Sequence, residues 1–403
     1  MEIKQIVELN GSKRSTELPW SPIRSLMPYA RQAKSEGVEI LHLNIGQPDI
    51  PTPPEALQRV KDLVAPIIEY GPSEGLVSLR KEVAQYYGSF TSDLTYEDIF
   101  VTTGASEAIH FALMATCDVG DEVIIPEPFY ANYLGFATMS GVNITPITCT
   151  IESEFSLPKI SDFVEKITPR TKAILLCNPG NPTGQLYSKA ELEVLMDFAR
   201  ERNLFLIVDE VYREFCYDGV FHSVLNFEGF DQQVIVVDSV SKVFSSCGAR
   251  VGYLVSRNKK IRESVLKYAQ MRLCSPYFGQ KLAEFCYQDS KKYIDEAKQE
   301  YLKRRSLVYE GLQKIQGAVN YKPQAAFYNI VELPVDNAEK FCKWLLTDFR
   351  KDNYTVMLAP ASGFYFTPKK GQRQVRMAYV LNREKLAIAL DCLKVAVEEY
   401  NNL

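Results

Sequence analysis

Four short segments bring together residue types that could do chemistry as a group. In Val237-Asp-Ser239-Val-Ser-Lys242-Val-Phe-Ser-Ser-Cys-Gly-Ala-Arg250-Val-Gly252, Lys242 and Arg250 are the only charges between Ser239 and Val255. A lysine among small and apolar neighbours loses solvation and can have a depressed pKa, as an imine-forming amine requires. In Leu204-Phe-Leu-Ile-Val-Asp209-Glu-Val-Tyr212 a carboxylate follows five apolar residues, a burial that costs free energy unless a cation or donors face it. In Val101-Thr-Thr-Gly104-Ala105-Ser106, a glycine and two small residues open the helical pattern Glu107–Thr116. Such a start exposes backbone N–H groups at the positive end of a helix dipole and suits a phosphate. Finally, Cys177-Asn-Pro-Gly-Asn181-Pro-Thr-Gly184 forms a constrained turn with two candidate cis peptides. It is not a Walker loop, because no Gly-Lys-Ser/Thr follows.

Each segment has an ordinary alternative when taken singly: a capped helix, a tight turn, a structural aspartate, a snorkelling lysine. Their common placement argues for more. Short apolar runs alternate with helical patterns from about residue 75 to 257: Asp98–Val101, Glu122–Ile125, Ala173–Leu176, Leu204–Val208, Val234–Val237 and Val251–Val255. Near-continuous apolar strands separated by helices indicate a mostly parallel sheet covered on both faces. Ligands of such sheets bind at the carboxyl ends of the strands, where all four segments fall. A phosphate-binding helix start, a buried carboxylate, an amine for a Schiff base and a second cation together fit pyridoxal 5′-phosphate.

The rest of the chain supplies a second part. Residues 279–316 predict one long helix with Gly311 as its only internal breaker. Residues 320–403 mix the two patterns, with strands Ala326–Val331, Tyr354–Leu358 and Gln374–Tyr379 and helices Ala338–Phe349 and Glu384–Tyr400. The expected division is an N-terminal arm (1–45) joined to the small domain, a large cofactor-binding domain (46–290), and an interdomain helix with the small C-terminal domain (291–403). The arm carries Pro19, Pro22 and Pro28 around a short helix.

Composition narrows the chemistry. The 403 residues hold 46 Lys and Arg against 50 Asp and Glu, a formal charge of −4, so nothing advertises nucleic acid or an anionic membrane. Only three histidines occur, His42, His110 and His222, far apart in sequence, which disfavours a His-centred triad or His-ligated zinc. Nine cysteines without a C-x-x-C pair read as reduced thiols. The leading MEIKQIVELNG lacks a signal-peptide core, and no apolar run approaches the ~20 residues of a membrane helix. A cytoplasmic protein is expected.

From about residue 20 to 400 the chain resembles the class I/II pyridoxal-phosphate-dependent aminotransferases of fold type I, nearest the aspartate-aminotransferase-like branch. Ser239-x-Ser-Lys242-x7-Arg250-x-Gly252 carries the resemblance, supported by Asn178–Gly184 and Asp209-Glu-Val-Tyr212. Ser246 departs from the apolar residue usual there. The resemblance implies an α/β fold: a large domain with a mostly parallel seven-stranded sheet covered by helices, and a smaller α+β domain. It implies that Lys242 holds the cofactor aldehyde and later shuttles a proton. Asp209 would pair with the ring nitrogen, Tyr212 and Asn181 would bond its phenolic oxygen, and Tyr130 would stack on the ring. Gly104, Ala105, Ser106, Ser239 and Arg250 would hold the phosphate. Tyr70, in Glu-Tyr70-Gly-Pro-Ser-Glu-Gly75, matches a tyrosine that reaches the partner subunit's phosphate, implying a homodimer with shared sites.

At the substrate end, Arg376 in Gln374-Val-Arg-Met-Ala-Tyr379 could grip a carboxylate bidentately, which a lysine could not. Gly46, in Asn44-Ile-Gly46-Gln-Pro-Asp49, and Asn181 would complete that end, Gly46 allowing close backbone approach. Some aspartate-specific relatives have a lysine at Ser106, so its absence puts aspartate specificity in doubt. Arg24, in Ser21-Pro-Ile-Arg24, could substitute or be a solvated charge. Phe129, Tyr133 and Phe364 are expected to leave room for an aromatic or aliphatic side chain. The expected reaction is ping-pong transfer of an amino group between an L-amino acid and a 2-oxo acid. A carbon–sulfur β-lyase shares the first steps and is the alternative.

Overall fold

The computed structural model describes residues 11–18, 20–22, 24–64 and 66–403. The leading residues 1–10 and Pro19, whose sequence was considered with the arm, lie outside the described residues. Twelve strands are described: β1 (Glu39–His42), β2 (Ile99–Thr102), β3 (Glu122–Glu127), β4 (Asn143–Thr148), β5 (Thr171–Cys177), β6 (Phe205–Asp209), β7 (Val234–Ser239), β8 (Gly252–Val255), β9 (Tyr328–Glu332), β10 (Tyr354–Met357), β11 (Ala359–Pro360) and β12 (Gln374–Ala378).

Seven of them form one sheet in the order β2-β8-β7-β6-β5-β3-β4. All neighbours run parallel except the two pairs made by β8, which is antiparallel to both β2 and β7. The apolar runs are continuous because both faces are covered. Alternate residues serve opposite cores. Val123, Leu175, Ile207, Ile235 and Leu254 pack on one side, and Ile124, Leu176, Val208, Val236 and Val255 on the other. Helix Ala105–Thr116 covers the first of these cores, and helices Val77–Tyr87 and Lys189–Glu201 the second.

The seventh strand, β4, was not among the six apolar runs. It is one edge of the sheet, half exposed, and carries Pro146, which an edge tolerates because one side of its backbone needs no ladder partner.

A second layer is built around β11-β12-β9 and the pair β1-β10, with helices Ala338–Thr347 and Arg383–Tyr400. The arm enters here: β1 lies parallel to β10, Glu39 opposite Tyr354 and His42 opposite Met357.

The single long helix expected over 279–316 is two helices, Tyr277–Gln288 and Ser290–Leu312. Asp289, at φ −131° and ψ 40°, breaks them. The bend lets Ala283 and Tyr287 reach the core under the large sheet while Ala297, Tyr301 and Val308 reach the second core. Gly311 breaks nothing; it sits in the last turn of the second helix, close to Leu390. Among the described residues no helix is long and apolar enough to cross a membrane.

Candidate active site

The carboxyl edge of the large sheet and the second layer enclose a cavity of about 430 Å³. Each strand delivers its following residues to this edge: β2 gives Ala105 and Ser106, β3 gives Tyr130, β5 gives Asn181, β6 ends in Asp209, and β7 leads to Ser239 and Lys242. Because β8 runs the other way, Arg250, two residues before its start, reaches the same edge. From the second layer come Gly46, Tyr328 and Arg376.

Asp209 is 4% exposed. Tyr133 donates its hydroxyl to Oδ2 at 2.8 Å, and the Val211 N–H lies 3.3 Å from Oδ1. Burial pushes this carboxyl up to about 6, with the hydrogen bonds opposing. Two neutral donors do not replace lost hydration, and no cation forms an ion pair with it among the described residues; a cationic heterocycle would supply what is missing.

Lys242, one turn beyond Ser239, donates from Nζ to the carbonyl oxygen of Gly46 at 2.8 Å. Ser239 accepts from the Ser241 N–H at 3.3 Å and caps that turn. Ser246, the departure from the family pattern, is buried and donates to the Val240 carbonyl at 2.9 Å, so its hydroxyl is satisfied locally.

The phosphate end is a cradle of main chain and guanidinium. Gly104, at φ +78°, starts helix Ala105–Thr116 without a side-chain cap, leaving its first amides open. Arg250 donates from Nη1 to Cys247 O at 3.0 Å and from Nη2 to Thr103 O at 3.2 Å, lying so close over Gly104 that a Cβ there would collide with it. Gly104 therefore sits behind Arg250 rather than in the cavity wall.

At the opposite end a chain of polar contacts runs through buried side chains. Arg376, 1% exposed, donates from Nη1 to Asn181 Oδ1 (3.2 Å) and from Nη2 to Asn44 O (2.5 Å). Its Nε is buried without a partner. Asn181 Nδ2 lies 3.3 Å from the Tyr212 hydroxyl, which shares a 2.9 Å hydrogen bond with that of Tyr328. Burial raises the Tyr212 phenol well above its ordinary value, and the neighbouring Tyr328 adds to this. Burial also pulls the Arg376 guanidinium below its usual value.

Most residues singled out from sequence meet here. Tyr70 does not: it is 81% exposed and outside the cavity. Ser106 and Arg24 both line the cavity, Arg24 from its exposed rim. Phe129, Tyr133 and Phe364 do not leave room for a substrate side chain, contrary to expectation. All three are buried behind the wall, Tyr133 bonded to Asp209 and Phe364 stacked on Arg376 at 4.7 Å. None of the three histidines lines the cavity, and all nine cysteines are free thiols. Tyr328 was missed because it sits in an apolar run that reads as core, and Tyr133 was expected at the substrate rather than behind Asp209; only their long-range partners distinguish them.

The donor set fits pyridoxal 5′-phosphate on this geometry: open helix amides beside a guanidinium, a buried carboxylate lacking a cation, and an amine between them. Comparison with known proteins agrees. The model of the aminotransferase class I and II family matches residues 38–393. The aspartate aminotransferase of Thermotoga maritima is 32% identical over 384 residues, 94% of this chain and 97% of the relative. An aromatic-amino-acid aminotransferase of Thermococcus litoralis is 29% identical over 389 residues, 94% and 96% of the two chains. The solved structure of an alanine aminotransferase from Pyrococcus furiosus matches with a TM-score of 0.87 at 30% identity, covering 97% of this chain and all of that one. The chain belongs to the class I and II aminotransferases, pyridoxal-phosphate-dependent enzymes of fold type I, and is an aminotransferase.

Proposed function

We propose that the cavity holds pyridoxal 5′-phosphate and moves an amino group between an L-amino acid and a 2-oxo acid, 2-oxoglutarate as acceptor, by a ping-pong mechanism. The observation that carries this reading is the convergence of the Lys242 amine, the unpaired Asp209 carboxylate and the buried Arg376 guanidinium on one cavity. The cofactor, when bound, supplies an electron sink that acidifies the Cα–H bond of the amino acid.

This chain's residues do the rest. Lys242 Nζ anchors the cofactor and then serves as the base at Cα. Asp209, held by Tyr133, keeps a ring nitrogen protonated. Tyr212 and Asn181 stabilise a phenolic oxygen, and Tyr130 covers the ring. The amides of Ala105 and Ser106, with Ser239 and Arg250, bind the phosphate at the helix start. Arg376, with Asn181 and the main chain at Gly46, takes the substrate carboxylate.

The same reading divides the chain into a cofactor-binding part (46–290) and a smaller part (1–45 with 291–403), in keeping with the pairing of β1 with β10. It makes the enzyme a cytoplasmic homodimer whose Tyr70, exposed in one protomer, reaches the partner's phosphate. Its small-molecule partners are amino acids and 2-oxo acids, with no part for nucleic acid or membrane.

An amino-donor panel with 2-oxoglutarate tests the reading, using wild-type and Lys242→Ala protein. Conversion of the cofactor to its amine form by at least one of aspartate, alanine or tyrosine, abolished in the variant, is expected. Pyruvate release from cystathionine without amino transfer would instead establish a carbon–sulfur lyase.

A further inference from the structure

Glu127, at the end of β3, is fully buried. Its Oε1 accepts from the Thr148 hydroxyl at 2.7 Å, and its Oε2 from the backbone N–H groups of Phe366 (2.6 Å) and Thr367 (3.0 Å). All three donors are neutral, an expensive way to keep a carboxylate in the interior, so what it fastens matters. Phe366 and Thr367 follow the short turn Ala361–Phe364. The Phe364 carbonyl accepts from the Phe129 N–H at 2.9 Å, a second fastening to the chain leaving β3.

Phe364 carries the consequence into the cavity wall. Its ring lies 4.7 Å from the Arg376 guanidinium carbon, and the Tyr328 ring lies at the same distance. Two aromatic rings against a planar cation limit its rotation. Tyr328 belongs to β9, paired with the strand of Arg376 itself, whereas Phe364 is held from the large sheet. The guanidinium plane is therefore set jointly by both parts of the molecule.

We propose that Glu127 is a positioning residue for the substrate carboxylate. By docking residues 364–367 onto the end of β3 it fixes Phe364 against Arg376 and orients two guanidinium N–H groups for a bidentate contact. The inference rests on the reading of Arg376 as the carboxylate grip. Glutamine at 127 keeps the volume, but with one acceptor oxygen in place of two it cannot accept from both Thr148 and the two backbone N–H groups, and it lacks the charge that strengthens all three bonds.

The test uses holoenzyme and the deamino analogue of the best donor: succinate for aspartate, propionate for alanine, 3-(4-hydroxyphenyl)propionate for tyrosine. Calorimetric titration should give about tenfold weaker binding to Glu127→Gln, with donor KM rising by more than kcat falls. Phe364→Leu should lose a similar factor, and the double variant should lose no more than Phe364→Leu alone. Wild-type affinity in Glu127→Gln, or additive losses in the double variant, would overturn the proposal. Arg376→Lys separates the two readings. If it leaves the analogue bound as tightly as wild type, the assignment of Arg376 itself is wrong. If it weakens binding while Glu127→Gln does not, only the role of Glu127 falls. Should Glu127→Gln fail to fold, Thr148→Val, which removes the one side-chain donor to Glu127, must weaken the analogue in the same direction; unchanged binding there also overturns the proposal.

Discussion

Lys242 Nζ donates a 2.8 Å hydrogen bond to the carbonyl oxygen of Gly46, 196 residues earlier in the chain. The contact ties the amine on the large sheet to the loop that follows β1. A carbonyl only accepts, so the amine is held by its proton and its lone pair, once formed, stays free. Gly46 has no side chain for a reason visible in the same place: a Cβ there would collide with the Tyr328 hydroxyl.

Gly46→Ala should therefore displace Tyr328, disturb its hydrogen bond to Tyr212 and move the acceptor of Lys242. Steady-state kinetics should show kcat/KM falling on the order of 100-fold, the cost of a misplacement of about 1 Å, while thermal unfolding shifts by only a few degrees. Unchanged kcat/KM would show that the loop yields without consequence.

Asp209 makes a pH prediction for the cofactor-free protein. Burial raises its carboxyl from 3.8 to about 6, so the folded state retains a proton that the unfolded state releases. Stability then falls as pH rises from about 4 to about 6 and stays lower above that range. Asp209→Asn lacks this titration. Its unfolding free energy should match wild type near pH 4 and exceed it by on the order of 3 kcal/mol at pH 7, measured by denaturant unfolding without cofactor. Bound cofactor should reverse the order, because its cation stabilises only the wild-type carboxylate. A wild-type advantage at pH 7 in the cofactor-free state would contradict this.

Tyr133→Phe removes the 2.8 Å donor to Asp209 and leaves the ring. The carboxyl should move further up, and the cofactor should dissociate about tenfold more readily, the loss expected for one hydrogen bond to a charged group. Equilibrium dialysis of the cofactor measures this directly. An unaltered dissociation constant would reduce Tyr133 to packing.

Ser106→Lys places a cation in the wall of the cavity that Arg24 also lines. It should raise kcat/KM for aspartate relative to alanine in a donor panel by about tenfold, the worth of one added charge-assisted hydrogen bond. If aspartate is already the best donor and the variant adds nothing, Ser106 is not the position that limits it.

Much of this was legible because burial on both faces leaves strands that read as uninterrupted apolar runs. The chemistry lies at their ends, as with Asp209 closing β6 and Lys242 following β7. The edge strand β4 escaped because its environment is half solvent and its composition follows. Tyr328, Glu127 and the role of Tyr133 escaped for a different reason: each is defined by a partner far away in sequence, and nothing in its own neighbourhood separates it from a core or surface residue. The helix break at Asp289 is likewise decided by which core each half must reach, a fact of tertiary packing.

The parallel pairing of β1 with β10 also has a meaning for synthesis. Strands β2 to β8 lie in one unbroken stretch, residues 99–255, so the sheet with Asp209 and Lys242 can form while the rest is still emerging. Gly46 reaches its place only after residues 354–357 arrive to pair with β1, and Arg376 comes later still. A nascent chain thus displays the floor of the pocket long before its roof, and the ends of a very long loop must meet before the pocket closes. Cofactor captured early would lie open to solvent, and the amine that anchors it would lack its Gly46 acceptor until translation is nearly done.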